Sequence, residues 1–239
     1  MNSAAIQQLV DHASGRFAHA GQFAYHYARG KLGHDTLFHE IVRTGLLGDA
    51  GRVLDLGSGQ GSLFAWLLSA RELADAGQWP AEWPQPERHT QLQGIELMAR
   101  DVERARRAFG TDHPVVCIEQ GDMTEVALGR PDAITILDAL HYVDPARQRA
   151  LLGRIRDALP RGGVFLTRIG DADAGWRFHV CNGVDRAVTY ARGHRLPRLY
   201  CRGLADWRGE LEHLGFAVEH RDMNGRKPFA NVMLHCRVR

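Results

Sequence analysis

Val53-Leu54-Asp55-Leu56-Gly57-Ser58-Gly59-Gln60-Gly61 is the stretch from which the fold is read. Val53 to Leu56 reads as a buried strand, with Asp55 near its end. The strand runs straight into a turn that has glycine at every second position. Glycine lets the backbone approach a ligand with no Cβ atom in the way. Residues 62–70 then carry a helical pattern. The loop N–H groups and the helix N-terminus are therefore expected to face one crevice. Such an arrangement suits a nucleoside cofactor.

Helices and strands alternate outward from this point. Residues 2–47 read mostly as helix, with a break around Gly30 to Gly33. After the strand at 52–56 comes a helix at 62–74. Residues 77–87 hold Trp79, Trp83, Pro80, Pro84 and Pro86 and read as a loop insertion. Strands at 90–96, 115–120, 133–137 and 164–169 alternate with helices at 99–109 and 146–159. The run 133–137 is apolar throughout, as in a strand covered on both faces. Pro160-Arg161-Gly162-Gly163 stops the helix before the last of these strands. Residues 171–203 are irregular or helical and rich in arginine. A helix at 204–213 ends at Gly215. Strands at 216–222 and 231–238 close the chain around a turn near Asn224-Gly225. Alternation of this kind implies a parallel sheet with helices on both sides, because parallel strands need right-handed crossovers.

The bulk numbers exclude several classes. At 239 residues the chain can bury the core of one large α/β domain. Its 44% hydrophobic and 24% charged residues are ordinary for a globular protein. No apolar run approaches a membrane span. Residues 1–10 lack the basic-then-apolar order of a secretory signal. A formal net charge of +2 does not imply nucleic acid. Cys117, Cys181, Cys201 and Cys236 form no C-x-x-C pair, so neither a zinc ribbon nor a redox dithiol is expected. Reduced thiols in the cytoplasm are the expectation. Cys117 and Cys236 lie in strand-like runs and are expected to pack in the core. His12, His19 and His26 recur every seven residues and read as a half-polar helix stripe, with no fourth ligand for a metal.

Glu96, Asp122 and Met123 are further candidates, and each has a bland reading. Glu96 alone is a solvated strand end. Asp122 alone is a turn residue or helix cap. Met123 alone is a core residue. Together with Asp55 they stand at the C-terminal ends of successive strands, where an open α/β sheet binds its ligand. Asp138-Ala139-Leu140-His141-Tyr142 follows the fourth strand. His141 can serve as a base near neutral pH, and Tyr142 can orient an acceptor through its hydroxyl.

The glycine spacing separates cofactors. A dinucleotide loop reads G-x-G-x-x-G. Here Gly57-x-Gly59-x-Gly61 follows an acid two residues upstream. This pattern resembles the first motif of the class I S-adenosylmethionine-dependent methyltransferases. The resemblance runs from about Arg52 to Ile169 and returns in the closing strand pair. It implies an α/β, Rossmann-like fold: a seven-stranded, mostly parallel sheet with an antiparallel edge strand and helices on both faces. It implies S-adenosyl-L-methionine as cofactor, held by Asp55, Gly57, Ser58, Gly59 and Gly61. Glu96, followed by Leu97, would take the ribose, since a carboxylate can accept from both hydroxyls of a diol. Asp122 would take the adenine amino group and Met123 would pack on the ring. Asp138 would lie beside the reactive methyl. Residues 1–47 would form a helical lid. Residues 48–239 would form the methyltransferase domain, with a substrate-cap insertion at about 171–203. In the lid, Arg29 is set against the cofactor carboxylate; the competing reading is a surface arginine near a helix C-terminus. Tyr25 and Tyr27 lie on different helix faces, so at most one points inward.

Acceptor specificity is expected in the stretch after the fifth strand. It holds Trp176, Arg177, Phe178, His179, Arg186, Tyr190, Arg192, His194, Arg195, Arg198, Tyr200 and Arg202. Aromatics with arginines point to an acceptor bearing a ring or a carboxylate, or to a phosphopantetheine arm. A solvated basic face is the bland alternative. His141, Tyr142 and His179 are the acceptor-side candidates for catalysis. The resemblance also allows His141 a packing role over the cofactor. Ala174-Gly175-Trp176-Arg177-Phe178 and Lys227-Pro228-Phe229-Ala230-Asn231-Val232-Met233-Leu234 resemble methyltransferases found beside bacterial aryl polyene and xanthomonadin-type pigment genes. That implies a small-molecule acceptor with a phenolic or aryl head group, free or on an acyl carrier protein. An RNA methyltransferase is one alternative, although no added binding module or basic tail is evident. A non-catalytic, cofactor-binding regulatory protein is the other. A homodimer is compatible with either reading.

Overall fold

The computed structural model describes residues 3–175, 199–223 and 230–239. Helices α1 (Ser3–Gly15), α2 (Gln22–His34) and α3 (Thr36–Thr44) precede strand β1 (Arg52–Leu56). Then follow α4 (Ser62–Asp75), β2 (Gln91–Glu96), α5 (Ala99–Phe109), β3 (Val116–Gln120) and β4 (Ala133–Leu137). The order continues with α6 (Pro145–Ala158), β5 (Val164–Gly170), α7 (Leu204–His213), β6 (Phe216–Asp222) and β7 (Asn231–Val238). The strands form a seven-stranded sheet in the order β3-β2-β1-β4-β5-β7-β6. β1, β2 and β3 pair in parallel. β7 pairs antiparallel with both β5 and β6. The expected mostly parallel, Rossmann-like sheet is thus present. The strand that runs against its neighbours is β7, one in from the edge, with β6 outside it. No helix among the described residues is long and apolar enough to cross a membrane.

The chain divides into two compact units, Met1–Val126 with Pro131–Ala133, and Ala127–Arg130 with Ile134–Arg239. In the first unit, α2 buries Ala24, Ala28 and Leu32, a stripe at every fourth residue. Trp66 of α4 is fully buried, and its Nε1 donates to the Phe38 carbonyl of α3 at 2.7 Å. The Asp35 side chain caps α3 by accepting from the Leu37 N–H at 3.1 Å. Gly45 closes the same helix in the left-handed region at φ 63°. The loop after α4 folds on itself: the rings of Trp79 and Trp83 meet edge to face at 5.3 Å. Trp79 Nε1 donates to the Pro84 carbonyl at 2.9 Å.

Three expectations about this unit are corrected. Helix α2 does not break at Gly30 to Gly33 but runs through both glycines to His34. Interior glycine costs a helix only about 1 kcal/mol, which burial of the Ala24, Ala28 and Leu32 stripe outweighs. The interruptions lie instead at Gly21, with φ 105°, and at Asp35. His12, His19 and His26 therefore fall on three separate helical pieces and share no helix face. Cys117 is exposed. Alternation along β3 turns Val116 and Ile118 inward and Cys117 outward.

In the second unit β5 is buried from Val164 through Ile169. Helix α6 starts at Pro145, with Asp144 accepting from the Ala146 and Arg147 N–H groups at 3.0 and 3.1 Å. Trp207 of α7, Phe216 of β6 and Cys236 of β7 are buried in its core. Desolvation pushes the Cys236 thiol well above its ordinary range.

Candidate cofactor site and the turn after strand four

In the first unit the β1–β2 ladder pairs Asp55 with Gly94 and Leu56 with Ile95. The pairing continues into the glycine loop. The Gly57 and Ser58 N–H groups both donate to the Ile95 carbonyl, at 2.8 and 3.1 Å. The Gly59 N–H donates to Glu96 Oε2 at 2.8 Å, and the Gly61 N–H to the Ser58 carbonyl at 3.0 Å. These four N–H groups are engaged inside the protein and do not face a crevice as expected. A pyrophosphate ligand relies on such donors, so the loop is ill suited to a dinucleotide. Gly61 and, on β2, Gly94 serve close packing, whereas a Cβ on Gly59 would meet nothing within 4 Å. A Cβ on Gly61, whose φ is +83°, would lie 2.7 Å from Ile118 Cδ1 and from Phe109 Cε2. A Cβ on Gly94 would lie 2.7 Å from Ser58 Oγ.

Glu96 is the hub of this loop system. It is only 8% exposed. Its Oε2 accepts from Gly59 and its Oε1 from the Met98 N–H, each at 2.8 Å. Both oxygens are oriented by the backbone, and a carboxylate can accept up to about four bonds. The Glu96 carbonyl accepts from the Gly121 N–H at 3.0 Å. That bond brings Gly121-Asp122-Met123 beside the end of β2. Asp122 Oδ1 accepts from the Thr124 N–H and hydroxyl, at 2.8 and 2.7 Å. Asp122 thus also has the turn role that its sequence allowed. Met123 is half-buried rather than core, and Leu97 is 61% exposed. Asp55 is buried at the end of β1.

Two buried polar atoms in the loop, Ser58 Oγ and Gln60 Oε1, have no hydrogen-bond partner. Gln60 Nε2 donates to the Ala24 carbonyl of α2 at 2.9 Å. A set of acids and unpartnered acceptors fits a ligand rich in hydroxyl and amine donors and free of phosphate. Arg29, expected near a cofactor carboxylate, instead pairs with Asp11 on the surface. The hydrogen bond to Asp11 raises the guanidinium pKa further. Tyr25 and Tyr27 are both half-buried, beside the inward stripe rather than on it.

The second unit carries the turn after β4. Asp138 adopts φ +61°, which a short polar side chain tolerates better than a branched one. Both of its carboxylate oxygens receive the guanidinium of Arg168 on β5: Nε donates to Oδ1 at 2.6 Å and Nη2 to Oδ2. Arg168 is 8% exposed. The Leu140–Tyr142 segment is a 3-10 turn, and the His141 and Tyr142 rings meet at 4.2 Å. Fully buried Gln148 of α6 secures the turn. Its Nε2 donates to the Leu140 and Tyr200 carbonyls, at 3.0 and 3.1 Å, and its Oε1 accepts from Arg202 Nε at 3.0 Å. The Tyr200 N–H donates to the His141 carbonyl at 2.8 Å. A small recess is lined by Leu140, His141, Arg168, Tyr200, Cys201 and Trp207, among others. His179, together with Trp176 to Phe178 and the arginines at 186, 192, 195 and 198, lies outside the described residues.

Sequence reading passed over Gln60, Gln148 and Arg168. The signals were available for two of them. Gln60 is a long amide side chain between glycines, and Arg168 is a charge inside an otherwise apolar strand. Gln148 sits in a helix rich in polar residues and carried no such mark.

Comparison with known proteins gives the same picture. The family described as "Methyltransferase domain" matches residues 26–221. A carboxy-S-adenosyl-L-methionine synthase from Aeromonas salmonicida (strain A449) is 31% identical over 87 residues, 33% of this chain and 35% of that protein. A second such synthase, from Pseudomonas syringae pv. syringae (strain B728a), is 31% identical over 90 residues, 33% of this chain and 36% of its own. The match thus spans about a third of the length of these curated relatives. Among solved structures, magnesium protoporphyrin IX methyltransferase from Synechocystis PCC 6803 with bound SAH superposes with TM-score 0.59 at 18% identity. That superposition covers 97% of this chain and 98% of the other. An O-methyltransferase family protein from Burkholderia thailandensis gives TM-score 0.60 at 18% identity, over 93% of this chain and 61% of its own. At such identities the likeness is one of fold. With the glycine loop, the acid ending β2 and the family match in agreement, the chain belongs to the methyltransferase-domain family, as a class I S-adenosylmethionine-dependent methyltransferase.

Proposed function

We propose that the chain transfers the methyl group of S-adenosylmethionine to a small-molecule acceptor with an aryl or phenolic head group, free or on a carrier protein. The observation that carries the cofactor assignment is Glu96, with one oxygen anchored on Gly59 and the other on Met98. In this reading Glu96 accepts from the ribose diol. Asp122 accepts from the adenine amine, while Met123 and exposed Leu97 cover the ring. Asp55 faces the amino-acid end. When bound, the cofactor supplies a methyl group already activated on sulfur. The protein's own work is then alignment and exclusion of water.

The acceptor reading rests on the recess of the second unit. Leu140 and Trp207 give it apolar wall, His141 and Tyr200 aromatic faces, and Arg168 a buried cation beside Asp138. A ring carrying an oxygen suits such a lining. His141, packed on Tyr142, orients the acceptor and takes its proton where the nucleophile is a phenol. His179 is a further proposed contributor. Part of the stretches behind the pigment-gene resemblance, Trp176 to Phe178 and Lys227 to Phe229, lies outside the described residues.

The test has two stages. Calorimetric titration with S-adenosylhomocysteine is expected to show one site; absence of binding would overturn the cofactor assignment. Methyl-labelled S-adenosylmethionine is then offered with hydroxybenzoates, free and loaded on an acyl carrier protein. Label in those products supports the acceptor class. Label transferred only to RNA replaces it, and cofactor binding with no transfer to any acceptor favours a regulatory role.

A further inference from the structure

We propose that Gln60 is a cofactor-binding residue that receives the ammonium of the amino-acid end and fastens helix α2 to the glycine loop. The inference rests on the S-adenosylmethionine reading above. Gln60 is 2% exposed, the most buried polar side chain of the loop. Its Nε2 donates to the Ala24 carbonyl at 2.9 Å, which fixes which end of the amide is which. The remaining atom, Oε1, is buried and has no hydrogen-bond partner. Leaving a buried acceptor unmade is costly, so a donor belongs there.

The cofactor has three groups of donors: the adenine amine, the ribose diol and the amino-acid ammonium. Asp122 and Glu96 stand at β3 and β2 for the first two. Gly59, the residue before Gln60, is bonded to the ribose acid itself. A ligand with its ribose on Glu96 therefore has this loop beside it. An ammonium carries three N–H donors, so a single acid such as Asp55 does not satisfy it. Gln60 Oε1 supplies a neutral second acceptor, without the repulsion that two adjacent carboxylates would bring. Through Nε2 the same amide holds α2, so binding at one end of the side chain bears on the helix at the other.

The experiment compares two ligands on the full chain by calorimetry. S-adenosylhomocysteine has the amino-acid end; 5′-methylthioadenosine keeps adenine, ribose and thioether but lacks it. Gln60→Leu, close in size and unable to hydrogen-bond, is expected to weaken S-adenosylhomocysteine binding about tenfold or more. Methylthioadenosine affinity is expected to stay within about twofold of the unmodified chain. Gln60→Glu keeps an acceptor oxygen and is expected to bind S-adenosylhomocysteine better than the leucine variant does. If the leucine variant fails to fold, Gln60→Ala takes its place, with the same selective loss of S-adenosylhomocysteine over methylthioadenosine binding expected. Equal losses for both ligands, no loss for either, or a Gln60→Glu variant that binds as poorly as Gln60→Leu would each overturn the proposal. If the unmodified chain binds neither ligand, the cofactor reading itself fails and this inference falls with it.

Discussion

The side chain that ends β2, Glu96, is built as the proposed ribose acceptor at a strand terminus. Glu96 is nearly buried, yet its charge is stabilised by two backbone N–H donors from different segments. Charge-assisted bonds of this kind are worth about 1.5–3 kcal/mol each. Glu96→Ala removes the proposed diol acceptor and both anchors together. S-adenosylhomocysteine affinity is expected to drop at least ~100-fold, since each tenfold step is about 1.4 kcal/mol. Unchanged calorimetric affinity in a folded variant would sink the ribose assignment. Gly94 shows the opposite constraint, one of space. A methyl there would meet Ser58 Oγ at 2.7 Å and Ile118 Cγ1 at 3.0 Å. Gly94→Ala is expected to destabilise the chain by about 1–3 kcal/mol, read as a lowered denaturation midpoint.

Between elements, buried side-chain amides and imidazoles act as ties. Gln148 joins α6 to the turn after β4 and to the segment leading into α7 through three hydrogen bonds. Gln148→Leu removes all three bonds: the Leu140 carbonyl keeps the Val143 N–H, while the Tyr200 carbonyl and the Arg202 Nε–H each lose this partner. At about 1–3 kcal/mol per lost partner, a loss near 3 kcal/mol is expected. That lowers the melting temperature by about 6–12 °C at ~2–4 °C per kcal/mol. His89 ties the loop before β2 to the residue before Gly51: its Nδ1 bonds the Ala50 carbonyl at 2.8 Å. Desolvation lowers the His89 pKa, with the Ala50 bond opposing in part. The unfolded chain, with an ordinary imidazole near pH 6.5, takes up the proton first. Stability is thus full above that pH and declines as pH falls below it towards the folded value. His89→Asn is expected to flatten this decline in denaturant titrations at pH 5 and 7. Element boundaries were largely legible in the sequence, because alternating apolar runs and glycine stops mark them. What was not legible depends on partners distant in sequence. The run of α2 through Gly30 follows from the stripe it buries, and the outward face of Cys117 from strand pairing at the sheet edge. The same holds for Arg29. Its helix was expected, but its partner Asp11 sits on a different helix, and only packing brings them together. Glu96 and the glycine loop were legible as a candidate site because each ends its own strand.

At the scale of the whole chain, ligand binding and stability are linked. A ligand that binds only the folded chain stabilises it by RT ln(1 + [L]/Kd), about 2.7 kcal/mol at a hundredfold excess over Kd. For a chain of 239 residues, a gain of that size raises the melting temperature by about 5–10 °C. S-adenosylhomocysteine is expected to produce such a rise in a thermal-shift assay. NAD has the same adenosine half but joins it to a pyrophosphate. The four loop N–H groups that a pyrophosphate would seek are bonded to Ile95, Glu96 and Ser58. Breaking them to admit phosphates would give up hydrogen bonds of the fold itself, so NAD at the same concentration is expected to shift the transition by less than about 1 °C. A rise with NAD equal to that with S-adenosylhomocysteine would mean that the loop opens to present its N–H groups. Glycine spacing would then have misled about the cofactor.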